Sequence, residues 1–272
     1  MKEQIKEIIS KLTLRQKADL MSGRDFWSTT PYEELGVPSA FLADGPHGVR
    51  KQAAASDHLG LNQSIPATCY PTAVTMANTW NPELGEQMGE ALGAEAASQR
   101  VNVLLGPGMN IKRNPRCGRN FEYYSEDPRL TGVMAAAITK GVQQEKGYYV
   151  TVKHFACNNQ EDNRNYVSSN LSERALREIY LRAFEETVVE GKAKSIMTSY
   201  NRVNGVYSPN SYDLCTKVLR NEWGFEGVVM TDWFSTGGKK GDTAVCMAAG
   251  NDLIMPGGAT FKAEILLGLR SG

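Results

Sequence analysis

One pattern recurs along this chain and limits what it can fold into: an apolar run, a polar turn, then an amphipathic stretch of helical period. The apolar runs are "AFLADGP", "TAVTMAN", "VNVLLGPG", "YYVTVKHF", "KSIMTSYN", "EGVVMTDW" and "NDLIMPGG". They do not alternate cleanly with polar residues, so they read as strands covered on both faces, as in a parallel sheet. Helix starts are marked between them. Thr13 with Gln16 reads as a capping box before "LRQKADLMS", and Asn81-Pro82 and Asp127-Pro128 each read as an N-cap followed by proline at the first helical position. Ser172 can cap "ERALREIYLRAFEETVVEG". Strands alternating with such helices predict an α/β fold of βαβ units. With 272 residues, a TIM-like (β/α)8 barrel of a single domain, irregular because only seven strand segments are visible, is favoured over an open doubly wound sheet. Neither "VLLGPGMN" nor "MPGGAT" supplies a glycine fingerprint opening a helix, and there is no P-loop.

Charge and cysteine usage exclude several functions. Lys plus Arg equals Asp plus Glu at 30 each, so the formal net charge is zero and there is no electrostatic ground for nucleic acid or an anionic membrane as partner. No stretch approaches a membrane span, and "MKEQIKEIIS" lacks the apolar core of a signal peptide. Cys69, Cys117, Cys157, Cys215 and Cys246 are scattered and odd in number, which suits a reducing cytoplasm. His47, His58 and His154 lack metal-ligand spacing, so no metal and no cofactor are expected.

The strand ends carry the chemistry. "FLADGP" delivers Asp44, "VTVKHF" delivers Lys153 and His154, "IMTSYN" delivers Tyr200 and "VVMTDW" delivers Asp232. A lone aspartate there caps a loop well, but in a barrel all these ends converge on one rim. The loop "NIKRNPRCGRNFEYYSEDP" adds Arg113, Arg116 and Arg119 beside Glu122 and Glu126. Such a set offers a carboxylate nucleophile, donors and acceptors for vicinal hydroxyls, and an aromatic face in Trp233. Retaining glycoside hydrolysis is one chemistry that uses these groups. A Schiff-base lyase built on Lys153 is another.

Five segments, "ADGPHGVR", "NIKRNPRCGRNFEYYSEDP", "KHFACNNQEDNR", "MTSYNRVNG" and "GVVMTDW", resemble the signatures of glycoside hydrolase family 3 in its β-glucosidase branch, in the family's order. The resemblance implies a retaining exo-acting β-glycosidase barrel working on a β-linked glucoside or related sugar. Asp232 matches the family's nucleophile, and Trp233 matches the residue that helps wall the aglycone side. Asp44 resembles the carboxylate that grips hydroxyls far from the cleaved bond, and Arg119, Lys153, His154 and Arg164 resemble the hydroxyl-binding cluster. Tyr200 resembles the tyrosine beside the nucleophile. Met197 is read first as core and second as pocket lining. Cationic neighbours are expected to keep Asp232 ionised.

The resemblance also implies a gap. In this branch the general acid/base comes from an α/β domain after the barrel, whereas residues 1–272 read as the barrel alone. The histidine solution of the family's N-acetylglucosaminidase branch is missing from "KHFACNNQ". Activity is therefore expected to be weak or dependent on that domain supplied in trans, with self-association through the uncovered interface. Glu122, Glu126 and Glu161 are the carboxylates near the rim that could stand in. The competing expectation is an inactive barrel, serving as a sugar-binding remnant or a folding scaffold.

Overall fold

The computed structural model describes residues 2–54 and 62–271; His58 lies outside them. Its centre is a five-stranded parallel sheet made of β1 (Leu42–Asp44), β2 (Val103–Leu105), β3 (Tyr149–Phe155), β5 (Ser195–Thr198) and β8 (Val228–Met230), hydrogen-bonded in that order. A small second sheet sets β4 (Ser168–Ser169) beside β6 (Arg202–Val203), which turns back into β7 (Val206–Tyr207). Asn204 and Gly205 link that hairpin, both with positive φ (49° and 88°), as a tight two-residue turn requires.

Side chains sort by strand parity into two cores. Ala43, Leu104, Val150, Val152, Ile196 and Val229 face outward onto the helices, meeting Leu92, Met134, Ile138 and Phe184. Leu42, Leu105, Met197 and Met230 face inward and pack with Trp27, Trp233, Leu253 and Met255. Inward-facing residues two steps further along β1 and β8 are Asp44 and Asp232, so the pleat that buries Leu42 and Met230 also aims both carboxylates into the interior.

The helices begin where their caps were read. Asn81 and Asp127 accept from the backbone N–H of Leu84 (3.0 Å) and Leu130 (2.7 Å) at the starts of α4 (Pro82–Ser98) and α5 (Pro128–Val142). The capping box opens α2 (Leu14–Leu20), which follows α1 (Lys2–Lys11). Helices α4 and α5 approach so closely that a Cβ on Gly141 would lie 2.1 Å from the Glu86 carbonyl oxygen. Ser172 caps α6 (Glu173–Ala175), but the predicted single helix widens into π-helical turns at Leu176–Tyr180 before α7 (Arg182–Val189). Further π-helical turns span Asp213–Glu222, and α8 (Thr243–Ala249) and α9 (Ala259–Ser271) complete the chain.

Two expected strands take other forms. "TAVTMAN" is a helix, α3 (Ala73–Asn78): Ala73, Met76 and Ala77 are buried at i, i+3 and i+4, and the first N–H is taken by His47 Nε2 at 3.0 Å. "NDLIMPGG" makes only single bridges, Leu253 to Met230 and Ile254 to Ser22. There the Asp252 side chain accepts the Val229 N–H (2.8 Å), and Pro256 withholds a donor, so no ladder propagates. From Ser22 and Gly23 further bridges run through Thr29 and Ser28 to Phe41, beside β1. The irregular TIM-like domain thus keeps an open ladder, with single bridges across the gap. Among the described residues no helix is long and apolar enough to cross a membrane, and no group of three or more His, Cys, Asp or Glu could hold a metal ion. All five cysteines are free.

Candidate active site

At the carboxyl ends of the sheet strands lies a cavity of about 220 Å³ lined by Asp44, Arg119, Lys153, His154, Arg164, Met197, Tyr200, Asp232 and Trp233, together with Trp27 and Leu105. Every sequence-predicted site residue therefore borders one space. β1 places Asp44, the loop after β2 places Arg119, and the loop after β3 places Arg164. Lys153 and His154 are adjacent in β3, where strict alternation would send one of them outward. The register of β3 against β5 shifts between Val152 and Phe155, and this irregularity turns both side chains to the cavity. Met197 satisfies both of its readings, being 2% exposed and part of the cavity floor.

Asp232 sits just past β8. Its Oδ1 accepts the N–H of Trp233 at 2.7 Å, while Oδ2 is buried with no hydrogen-bond partner and faces His154 Nε2 at 3.8 Å. Burial raises its carboxyl above the ordinary aspartate range; Arg119, Lys153, the Trp233 N–H and Arg164 pull the other way without winning. The neighbouring cations act in the direction expected, favouring the ionised form, and limit the rise that burial causes. His154 is wholly enclosed, and burial together with Arg119, Lys153 and Arg164 pushes its imidazole well below the ordinary range. It is neutral near pH 7, so its approach to Asp232 is not an ion pair.

Glu122, near the end of a short 3₁₀ turn (Asn120–Glu122), anchors the cations. It is 4% exposed, hydrogen-bonded to Arg119 Nε, and its Oε2 lies 3.8 Å from Lys153 Nζ. Lys153 Nζ also lies 3.5 Å from Asp44 Oδ1. Burial pushes the Glu122 carboxyl up, but Lys153 and Arg119 overcome it and hold the group below the ordinary glutamate range. On the guanidinium side, burial works against the charge of Arg119 and is outweighed by Tyr123 and Glu122. Glu122 therefore cannot serve as a proton donor. Glu161 is tied to Arg164 (2.6 Å) and Glu126 is exposed, so neither faces Asp232 as a ready acid.

The opposite wall is aromatic. Tyr200 donates to the Trp233 carbonyl at 2.7 Å and lies under the Arg164 guanidinium, 4.4 Å from its ring centre. Burial and the neighbouring Asp232 raise its phenol well above the ordinary range. Trp233 is fixed by a hydrogen bond from Nε1 to the Phe26 carbonyl (2.9 Å), and its ring lies 5.2 Å from that of Trp27. Sequence reasoning missed Trp27 and the contact of Glu122 with Lys153. Trp27 comes from an irregular segment without a motif, while Glu122 was visible in "GRNFEYY" as a carboxylate three residues after an arginine.

A buried, half-satisfied carboxylate facing cations, a neutral imidazole and an aromatic wall is a donor-rich pocket for a compact polyhydroxylated ligand. Residues 5–265 match the family described as "Glycosyl hydrolase family 3 N terminal domain". The chain belongs to glycoside hydrolase family 3. Among the similar proteins in this family is "Thermostable beta-glucosidase B" of Acetivibrio thermocellus, 47% identical over 98% of this chain and 35% of that protein. Another is the "Exo-alpha-(1->6)-L-arabinopyranosidase" of Bifidobacterium longum, 48% identical over 97% of this chain and 34% of that protein. Among solved structures, family 3 β-glucosidase 3B from Thermotoga neapolitana in complex with glucose superposes with a TM-score of 0.90 at 44% identity, over 99% of this chain and 40% of that one. The chain thus spans about a third of the length of the curated relatives it matches.

Proposed function

We propose that this domain forms the nucleophile and glycone half of a retaining exo-β-glycosidase acting on β-linked glucosides or closely related pyranosides. The observation that carries the reading is Asp232: a buried carboxylate at a strand end that lines the cavity and whose Oδ2 makes no hydrogen bond within the protein. In the proposed step that oxygen attacks the anomeric carbon, the glycosidic C–O bond breaks, and water later releases the sugar from the aspartyl ester. Asp44, Lys153, Arg119, His154 and Arg164 hold the ring hydroxyls, Tyr200 keeps the wall beside Asp232 in place, and Trp233 borders the aglycone.

Among the described residues no carboxyl stands ready to protonate the leaving oxygen. We assign that proton to a group outside them, from the same polypeptide or from a partner supplied in trans, which general acid catalysis makes worth ~10²–10⁴-fold. Lys153 is an unsuitable Schiff-base nucleophile, since Nζ lies within 4.0 Å of two carboxylates. The lack of a placed acid is also the observation that favours the second reading, an inactive sugar-binding barrel. Phe121, exposed beside the wall shared by Asp44 and Arg119, supports self-association of an uncovered upper face, and the five free cysteines support a reducing, cytoplasmic setting.

The test compares dinitrophenyl, nitrophenyl and methyl β-glucosides. Release from the dinitrophenyl compound alone, falling steeply with leaving-group basicity, supports a working nucleophile without its acid. Equal rates on all three overturn the assignment of the proton to an outside group. Binding of an imino-sugar without any turnover supports the inactive barrel.

A further inference from the structure

Behind the cavity wall, three side chains that take no part in lining it form a directed chain ending at His154. Asn158 and Tyr123 are almost wholly buried, at 1% and 0% exposure. Asn158 Nδ2 donates to Glu161 Oε1 (3.1 Å) and to the Tyr123 hydroxyl (3.1 Å), and that hydroxyl lies 3.1 Å from His154 Nδ1. Glu161 is itself held by Arg164 Nη1 at 2.6 Å.

The carboxylate sets the direction of every bond. The Glu161 carboxylate, paired with Arg164, accepts, so Asn158 turns its amide nitrogen toward it. The same nitrogen occupies the acceptor side of the Tyr123 hydroxyl, whose proton is left for His154 Nδ1. A neutral imidazole that accepts at Nδ1 carries its proton on Nε2. Nε2 is the nitrogen that faces Asp232 Oδ2 at 3.8 Å across the cavity edge. A competing acceptor exists: Asn110 Oδ1 lies 3.3 Å from His154 Nδ1 and would favour the other tautomer. That oxygen already accepts the His154 backbone N–H at 2.9 Å, while an Nδ1–H would leave the hydroxyl proton of Tyr123 without an acceptor. The tyrosine bond is also the shorter of the two.

We propose that Glu161, Asn158 and Tyr123 are positioning residues that lock His154 in its Nε2–H tautomer, so that the imidazole donates into the cavity beside Asp232; this rests on the reading of His154 as a glycone contact. The chain continues on the far side from Glu161 through Arg164, stacked on Tyr200, to the Trp233 carbonyl. From there the Trp233 N–H returns to Asp232 Oδ1. Asn158 thus joins both flanks of the nucleophile.

The deciding experiment is nitrogen-15 NMR of the imidazoles in the intact chain, with His154 assigned by its disappearance in His154→Gln. The lock predicts a neutral ring protonated at Nε2. In Tyr123→Phe, which keeps the ring and removes the hydroxyl, Asn110 Oδ1 remains as partner and the proton moves to Nδ1. The rate of glycosylation by a 2-deoxy-2-fluoro-glucosyl donor then falls roughly 10–100-fold, with Asn158→Ala showing a smaller fall in the same direction. An Nδ1–H ring in the unaltered protein overturns the proposal, and that result needs no variant to fold. An unaltered rate in folded Tyr123→Phe overturns it as well. If the unaltered protein never reacts with the donor, the glycosidase reading fails while the tautomer is still decided by the spectra.

Discussion

Glu122→Gln isolates the charge that holds Arg119 and Lys153 beside the cavity. The substitution keeps the volume and one acceptor for Arg119, and deletes the negative charge shared by Arg119 and Lys153. At an effective dielectric of ~20, a unit pair ~4 Å apart is worth about 4 kcal/mol, and Glu122 faces two cations. Against this stands the cost of keeping a carboxylate buried, several kcal/mol per ion. Breaking a buried pair while leaving its cations in place nets a loss of about 3 kcal/mol. With an m-value near ~3 kcal/mol/M for a chain of this size, the urea midpoint falls by about 1 M. The effect carries a pH signature. The Glu122 carboxyl is held below its ordinary range, so its contribution is complete above the unfolded-state value of about 4.3. It is lost only as pH falls through the lower folded value. Urea titrations at pH 7 and in mild acid should therefore show the full gap at pH 7 and a closing gap below about pH 4. Equal midpoints at pH 7 would refute the reasoning, because they would mean that Arg119 and Lys153 need no buried counter-charge.

Asp232 should behave in the opposite sense. Its folded carboxyl lies above the unfolded value, so the folded chain retains the proton longer and loses stability as pH rises from about 3.9 through the folded value. Asp232→Asn is then expected to melt no lower than the unaltered protein at pH 7, and calorimetry should show any advantage disappearing in acid. Because only the ionised carboxylate attacks, fluoro-sugar labelling should fail on acidification with a midpoint above the ordinary aspartate value; a midpoint at or below about 3.9 would contradict the burial argument. Gly141→Ala places a methyl against the Glu86 carbonyl oxygen and should cost about 1–3 kcal/mol in denaturant by prising α4 from α5. Asp127→Ala removes the cap on Leu130 N–H and should cost ~1 kcal/mol by the same assay.

Much of the site was legible because it depends on position along strands. A polar residue at the end of an apolar run can only emerge at the strand's carboxyl end, and Asp44, Lys153, Tyr200 and Asp232 all meet there. The helix starts were legible for a similar reason: a cap is a local hydrogen bond, and Asn81, Asp127 and Thr13 make theirs within three residues. Elements decided by partners distant in sequence were harder to read. "TAVTMAN" reads as a strand, and the His47 ring, 26 residues away, helps to set it as a helix by accepting its first N–H. "NDLIMPGG" has strand composition, yet the Asp252 side chain takes a ladder donor. The balance at Asp232 depends on how completely the fold excludes water, and counting cations in the sequence cannot supply that. Trp27 is placed at the cavity by partners distant in sequence, its carbonyl accepting the Leu42 N–H at 2.7 Å and its ring lying against that of Trp233.

The most direct test of the central claim is incubation of the folded chain with 2-deoxy-2-fluoro-glucosyl fluoride, followed by intact-protein and peptide mass spectrometry. The account predicts a single fluoro-glucosyl adduct on the peptide containing Asp232, absent from Asp232→Asn. No adduct on folded protein, or an adduct carried by another residue, would contradict it.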